Sequence, residues 1–130
     1  MEIFILEDNK FRIEWFKKTF SQHNLNIFDN VKRAELYLLD NNPDVLFLDH
    51  DLDGRAFVDS NEDNTGYKLA KSIVSFGKKY KKVYIHSMNP YGAKKMQEKL
   101  KEGRVSDEIL RFPFSMLVDY YKVFDKQAMI

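Results

Sequence analysis

One ten-residue stretch, residues 45–54, constrains the fold of this chain more than any other. Its four apolar residues are followed by three acids at alternate positions, with His50 between the first two. A continuous apolar run of this length, bounded by turn residues, is typical of a strand buried on both faces of a parallel sheet. In open parallel sheets, ligands bind just beyond the carboxyl ends of the strands. Crowded carboxylates at such an end repel one another unless a cation or hydrogen bonds compensate, so we expect a functional site there.

Apolar segments of two kinds alternate along the rest of the chain. Strands are predicted at 2–6, 25–28, 45–48, 83–86 and 107–112. Helical spacing of apolar residues predicts helices from about 9 to 23, and at 31–40, 66–76, 90–102 and 115–126. Five strands that alternate with five helices predict an α/β three-layer sandwich with a five-stranded parallel sheet. The right-handed crossover rule favours strand order 2-1-3-4-5.

Composition limits the class of protein. A chain of 130 residues fits one domain, spanning 1–130, and 44% hydrophobic residues can fill its core. The absence of cysteine excludes disulfides and thiolate metal sites and favours a cytoplasmic location. No signal segment or membrane span of ~20 apolar residues is evident. A net charge of +1 does not indicate a nucleic-acid binder, so we expect neither a membrane nor duplex DNA as partner.

The predicted strand order brings several polar residues to one sheet edge. Strands one and three become neighbours, so Glu7 and Asp8 face Asp49 across a crevice. Clustered carboxylates form a hard-oxygen site suited to Mg²⁺ or Mn²⁺. Strand four adds the Ser87 hydroxyl and the Asn89 amide at the start of a helix, where phosphate binds readily. The edge is therefore predicted to hold a metal and a phosphate.

These residues resemble the CheY-like receiver domains, a CheY/flavodoxin-like fold, over nearly the whole chain. The resemblance implies that Asp49 is phosphorylated, that the acid pair binds magnesium and that Ser87 contacts the phosphoryl group. It also implies the Asp51 backbone carbonyl as a metal ligand. Two features depart from ordinary receivers. Gly66 lies much further beyond Asp49 than the receiver glycine does, and Phe112 precedes Pro113 where receivers carry a lysine.

Three motifs resemble a narrower group, the cyclic-phosphate-processing receiver-like family. They are Asp49–Leu52, Thr65–Tyr67 and His86–Gly92. This resemblance implies a metal-dependent domain that acts on or binds a cyclic phosphate of an RNA end or a nucleotide, as a cyclic phosphodiesterase-type hydrolase would. Two alternatives remain open. One is a stand-alone response-regulator receiver phosphorylated on Asp49, and the other is a non-catalytic module that binds a phosphate ligand or a protein partner.

Two histidines extend this prediction to catalysis. His50 and His86 lie at the ends of predicted neighbouring strands, and histidine can serve as base and acid near neutral pH. Successive strand residues point to opposite faces, which argues against both members of the pairs 49/50 and 86/87 entering one crevice. The predicted catalytic residues are Asp49, His50, His86 and Ser87, the phosphate-binding residues are Ser87, Asn89 and Arg55, and the metal ligands are Glu7, Asp8, Asp49 and Asp51.

The loop 52–64 is long for a strand-to-helix connection. It carries four acids, Arg55 as its only cation, and the large apolar pair Phe57–Val58. We expect either a mobile lid, anchored by Phe57 with Arg55 turning toward a phosphate, or a rigid surface loop. The acids from Asp49 imitate the start of an EF-hand, but Ser60 stands at the twelfth position and a strand precedes, so that geometry is excluded.

Overall fold

The computed structural model describes residues 1–52 and 54–123. Within them, five strands alternate with five helices, as predicted. The strands are β1 (Glu2–Leu6), β2 (Asn24–Phe28), β3 (Val45–Leu48), β4 (Lys82–Ile85) and β5 (Ile109–Arg111). The helices are α1 (Lys10–Thr19), α2 (Val31–Asp40), α3 (Gly66–Phe76), α4 (Pro90–Glu102) and α5 (Phe114–Val123).

The strands form one parallel sheet in the order β2-β1-β3-β4-β5, which confirms the predicted fold class. Leu6 pairs with Leu48, and Leu48 with Ile85. The ladder runs one residue further, because the Asp49 N–H donates to Leu6 and the His86 N–H donates to Leu48. The three central strands therefore end level with one another, and the residues that follow them share one edge.

Side chains alternate between two apolar cores. Leu6, Leu48 and Ile85 belong to the core beneath α2, α3 and α4. Ile5, Phe47 and Tyr84 belong to the opposite core, with aromatic residues of α1 and residues of α5. Because side chains alternate along a strand, this register directs residues 7, 49 and 86 toward α1 and α5, and residue 50 toward α3 and α4.

Capping residues fix where the helices begin. The side chains of Asn9, Asn30, Thr65 and Asn89 each accept a backbone N–H of the first helical turn. Gly77 ends α3 in the left-handed region (φ 69°). Of the helices in the described ranges, none is both long and apolar enough to cross a membrane.

Several predicted boundaries differ from the structure. Helix α1 ends at Thr19 rather than near residue 23, and β4 ends at Ile85 rather than His86. Strand β5 is shorter than the predicted 107–112, because the Ser106 hydroxyl accepts the Glu108 N–H in a turn just before it. Positions 124–126 of the last predicted helix lie outside the described residues.

Candidate metal and phosphate site

A cavity of about 250 Å³ opens at the carboxyl ends of β1 and β3. Its walls bring together all four residues predicted as metal ligands, two arginines and part of the loop after β3. The charged residues lining it are Glu7, Asp8, Asp49, Asp51, Arg12 and Arg55. This cavity is called the acid crevice below.

Asp49 lies at the centre of the acid crevice and is only 3% exposed. One carboxylate oxygen accepts the His50 backbone N–H at 2.8 Å, and the other lies 3.6 Å from Nη1 of Arg12. Burial raises the pKa of Asp49 to about 6, and the nearby Glu7 charge adds to this, although His86 and Arg12 oppose it. The crevice therefore holds a carboxylate that is short of positive charge.

Glu7 is fully buried yet ionised. Burial on its own would raise the pKa of this carboxyl, but His86, the Asn9 N–H and Arg12 outweigh that effect and lower it. Oε2 accepts the backbone N–H groups of Asp8 and Asn9 at 3.0 Å each, and Oε1 lies 2.9 Å from Nε2 of His86. Because both oxygens already accept hydrogen bonds, Glu7 is better placed to hold a cation through water than directly.

His86 supports Glu7 from behind the crevice. Its ring is buried and lies edge-on to Phe16 and Phe114. A carboxylate only accepts hydrogen bonds, so Nε2 of His86 donates to Glu7. Among the described residues, the buried Nδ1 of His86 has no hydrogen-bond partner. Potential ligand atoms of Glu7, Asp49 and His86 lie within 4.8 Å of one another, but Nε2 could bind a metal only by releasing Glu7.

Arg12 is a site residue that the sequence reasoning missed. It lies in the first turn of α1, with Nη1 3.7 Å from Glu7 and 3.6 Å from Asp49. Its guanidinium also stacks over the ring of Phe114, 5.1 Å from the centroid. A cation in the first turn is unfavourable with the helix dipole. An unfavourably placed cation shortly after the acid pair was therefore the sequence feature that could have indicated Arg12 as a site residue.

The structure separates the two histidines. His50 points to the opposite side of the sheet from Asp49 and His86, where it is fully buried. Nδ1 lies 2.7 Å from Asp51, and Nε2 lies 2.9 Å from the Ser60 hydroxyl. The His50 ring occupies the space that a Cβ at Gly92 would need. The alternation of strand side chains thus prevents His50 and His86 from acting on one phosphate.

The side chains of Asp51 and Asn89 are occupied by other contacts, although Asp51 lines the acid crevice. The Asp51 carboxylate accepts the N–H groups of Phe57 and Val58 and an N–H of Asn89, besides contacting His50. These bonds outweigh burial and lower the Asp51 pKa. Only the Asp51 backbone therefore remains a candidate ligand. The Asn89 amide bonds Asp51 and the Val58 carbonyl while its oxygen caps α4, so it is not directed at a phosphate in the crevice.

The loop over the crevice is anchored differently from the prediction. Phe57, the predicted anchor, is 74% exposed and has a left-handed backbone (φ 54°), whereas Val58 is buried. Gly54 donates its N–H to the Asp8 carboxylate at 2.8 Å. Arg55 forms a two-pronged ion pair with Glu62 at 2.7 and 3.0 Å while lining the crevice. Asp53, another acid of this loop, lies outside the described residues.

Ser87 and Gly66 complete the surroundings of Asp49. Ser87 is buried, and its hydroxyl accepts the Asn89 N–H at 3.0 Å. It lines a second cavity beside the acid crevice rather than the crevice itself. Gly66 packs so closely on the Asp49 carbonyl that a side chain at this position would overlap it. This contact explains why a glycine stands at the start of α3.

The donor set suits a divalent cation. Glu7, Asp8 and Asp49 offer hard carboxylate oxygens, and Arg12 is the guanidinium that lies beside Glu7 and Asp49. A divalent cation among these acids would reduce their mutual repulsion. The pKa of Asp49 is raised chiefly by burial and further by the Glu7 charge, and a bound cation would offset both effects.

A family model matches most of the chain. The family model described as the cyclic-phosphate processing receiver domain matches residues 3–102. No curated protein matches the chain.

Several solved structures with a similar fold are receiver domains. The beryllofluoride-activated NtrC receiver domain has a TM-score of 0.64 at 16% identity, covering 94% of this chain and 88% of that one. The N-terminal domain of a response regulator/sensory box/GGDEF protein from Carboxydothermus hydrogenoformans has a TM-score of 0.61 at 17% identity, covering 95% and 92%. A Burkholderia pseudomallei response regulator with a phosphorylated aspartic acid and a calcium ion has a TM-score of 0.60 at 10% identity, covering 90% and 64%.

Proposed function

Because this chain belongs to the cyclic-phosphate processing receiver domain family, we propose that it binds a divalent cation in the acid crevice and acts there on a cyclic phosphate. The substrate class is a nucleotide or RNA end whose phosphate closes a ring. The observation that carries the proposal is the buried, charge-deficient Asp49 beside Glu7 and Arg12. An ordinary phosphoacceptor site would also need the strand-five lysine, and Phe112 stands in its place.

We assign the cation to Asp8 and Asp49, with Glu7 contributing through water and the Asp51 carbonyl as a further ligand. Mg²⁺ or Mn²⁺ fits this oxygen set. When bound, such a cation neutralises developing negative charge on a phosphate and polarises its P–O bonds.

The chain's own residues supply the remaining steps. Arg12, held against Asp49 and stacked on Phe114, pairs with a phosphate oxygen. Arg55 reaches the same anion by exchanging its ion pair with Glu62. Opening the ring adds one water across one P–O ester bond. The water oxygen forms a new P–O bond while the ring P–O bond breaks, Asp49 accepts one proton of the water, and that proton then passes to the released ring oxygen, which leaves as a hydroxyl. His86 and His50 act as positioning residues, on Glu7 and Asp51 respectively.

The test is incubation with adenosine 2′,3′-cyclic phosphate and Mg²⁺, followed by phosphorus NMR. The expected product is a ring-opened monophosphate that forms with the wild type and disappears with Asp49→Asn. Asp107→Asn is the matched control, since Asp107 is an exposed aspartate of the same charge, and it should keep the activity. Binding without turnover would reduce the proposal to a non-catalytic phosphate-binding module. If the protein neither binds nor hydrolyses this compound, the proposed function is wrong.

A phosphoacceptor receiver is the second candidate. It is favoured by the position of Asp49 at the end of β3 in a receiver fold. Incubation with acetyl phosphate and Mg²⁺, measured by intact mass, tests it. One added phosphoryl group that is absent from Asp49→Asn would support this candidate, and an unchanged mass would oppose it.

A further inference from the structure

A second cavity adjoins the acid crevice. It occupies about 450 Å³ between the start of α4 and the junction of β5 with α5. Most of its wall is apolar, from Pro90, Ala93, Phe112, Pro113 and Met116. Its volume is within the range of small-molecule pockets, and an apolar wall with few polar groups is typical of them. We call it the apolar groove.

The groove and the crevice meet at one side chain. Met88 lines both cavities and is 47% exposed. A ligand with its phosphate in the crevice could therefore extend past Met88 into the groove. Methionine is unbranched and polarisable, so it adapts to flat apolar groups. Met116, on the opposite wall, is 55% exposed and offers a second such side chain.

Two polar groups of the groove remain available to a ligand. Ser87 is only 3% exposed, and its oxygen accepts the Asn89 N–H. A hydroxyl that accepts one hydrogen bond can also donate its own proton, in this case to a ligand. Arg111 is exposed at the rim, and its planar guanidinium can stack on a ring or bond ring oxygens and nitrogens. One buried donor and one planar cation among apolar walls match a heterocycle bearing a sugar better than an aliphatic chain.

We infer that the apolar groove binds the nucleoside part of a cyclic phosphate whose phosphate lies in the acid crevice. This inference rests on the proposed function and narrows it to nucleoside 2′,3′-cyclic phosphates or the terminal nucleotide of an RNA. Met88 and Met116 contact the base, Arg111 covers its edge, and Ser87 donates to the sugar or the base. The groove then determines specificity, while the crevice holds the reacting group.

The test compares two ligands that share the five-membered cyclic phosphate, adenosine 2′,3′-cyclic phosphate and glycerol 1,2-cyclic phosphate. Their Kd values, or KM values where the ring opens, are measured with Mg²⁺. Wild type should prefer the adenosine ligand at least 10-fold. Met116→Ala and Arg111→Ala should each reduce that preference several-fold without weakening the glycerol ligand. Lys101→Ala changes an exposed residue near the far end of α4 that does not line the groove, and it should change nothing.

The possible results distinguish this inference from the proposed function on which it rests. If both ligands bind with equal affinity, or if the two groove variants keep the preference for adenosine, the groove does not bind the nucleoside. The proposal that the crevice binds the phosphate is then unaffected. If neither cyclic phosphate binds but adenosine shifts the methyl NMR signal of Met116, the groove is a nucleoside site and the proposed function is wrong. If no probe binds, both the inference and the proposed function are wrong. A Met116 signal that responds only to protein concentration would assign the groove to a second copy of the chain and overturn the inference.

Discussion

The buried Asp49 carboxylate is predicted to lower the free energy of unfolding of the metal-free protein. Its pKa of about 6 in the folded state lies above the unfolded value near 3.8, so the unfolded chain releases this proton first. Stability is therefore lost as the pH rises from about 4 through 6, and the full penalty is present above pH 7. Asp49→Asn removes the penalty and should stabilise the metal-free protein by about 1–3 kcal/mol at pH 8.

Thermal unfolding in a chelator, repeated from pH 4 to pH 8, measures this effect. The gain from Asp49→Asn should grow with pH and level off near neutrality. Asp107→Asn controls for the loss of one surface charge. A gain that is constant with pH would show that burial of the Asp49 charge is not its cause.

Gly92 is predicted to be intolerant of a side chain. A Cβ there would overlap the His50 ring, and overpacking a buried site costs about 1–3 kcal/mol. Alanine is otherwise the better helix former by about 1 kcal/mol, so the net effect of Gly92→Ala should be a loss of up to about 2 kcal/mol in urea unfolding. Lys94→Ala, on the exposed side of α4, is the control. The loss of stability caused by Gly92→Ala should be smaller when it is measured in the His50→Ala background. An unchanged loss would show that the clash does not involve the His50 ring.

Single side chains were the hardest part to predict from sequence. Phe57 is larger and more apolar than Val58, yet Val58 is the one buried, because the left-handed backbone at Phe57 turns its ring outward. The sequence marks Arg12 only as a cation in the first turn of α1, and the folded geometry is what brings it to Asp49. Composition and spacing do not contain backbone turns or the reach of a long side chain.

At the scale of elements, Asp51 is one of several residues that tie the loop 52–64 to the domain. Its carboxylate accepts the N–H groups of Phe57 and Val58. Asp51→Ala also removes the acceptor of the buried Asn89 amide and the partner of the buried His50 ring, so it should cost about 1–3 kcal/mol and speed hydrogen exchange at the Phe57 and Val58 amides. Asp59→Ala removes the same charge from an exposed position in the same loop and should do neither. Slow exchange at both amides in Asp51→Ala would show that other contacts hold the loop.

The elements themselves were predictable, since apolar periodicity and caps are local properties. Asn89 followed by Pro90 marked the start of α4 correctly, and the apolar run 45–48 marked β3. Which residues share a face follows from strand alternation, and the separation of His50 from His86 obeys that rule. The network joining His50 to Ser60 and Asn89 depends on contacts between distant segments, and no local pattern indicates it.

At the scale of the whole molecule, strand order follows from the βαβ alternation and the crossover rule, and the structure has that order. The consequence is that Glu7, Asp8 and Asp49, far apart in sequence, meet at one edge with a deficit of positive charge. A ligand that binds only the folded state raises stability with its concentration, by about 2.7 kcal/mol at 100 times Kd. Cation binding should therefore appear in the unfolding of the entire domain.

We predict that Mg²⁺ or Mn²⁺ raises the Tm of the wild type, by about 4 °C for each kcal/mol at this chain length. Asp49→Asn should begin at a higher Tm in chelator, because its buried charge is gone, and should then respond little to the metal. The two titration curves therefore approach each other and cross if the cation binds tightly. Sodium chloride at matched ionic strength separates specific binding from screening. A flat wild-type curve, or a parallel rise in Asp49→Asn, would mean that the acids at this edge do not hold a cation through Asp49.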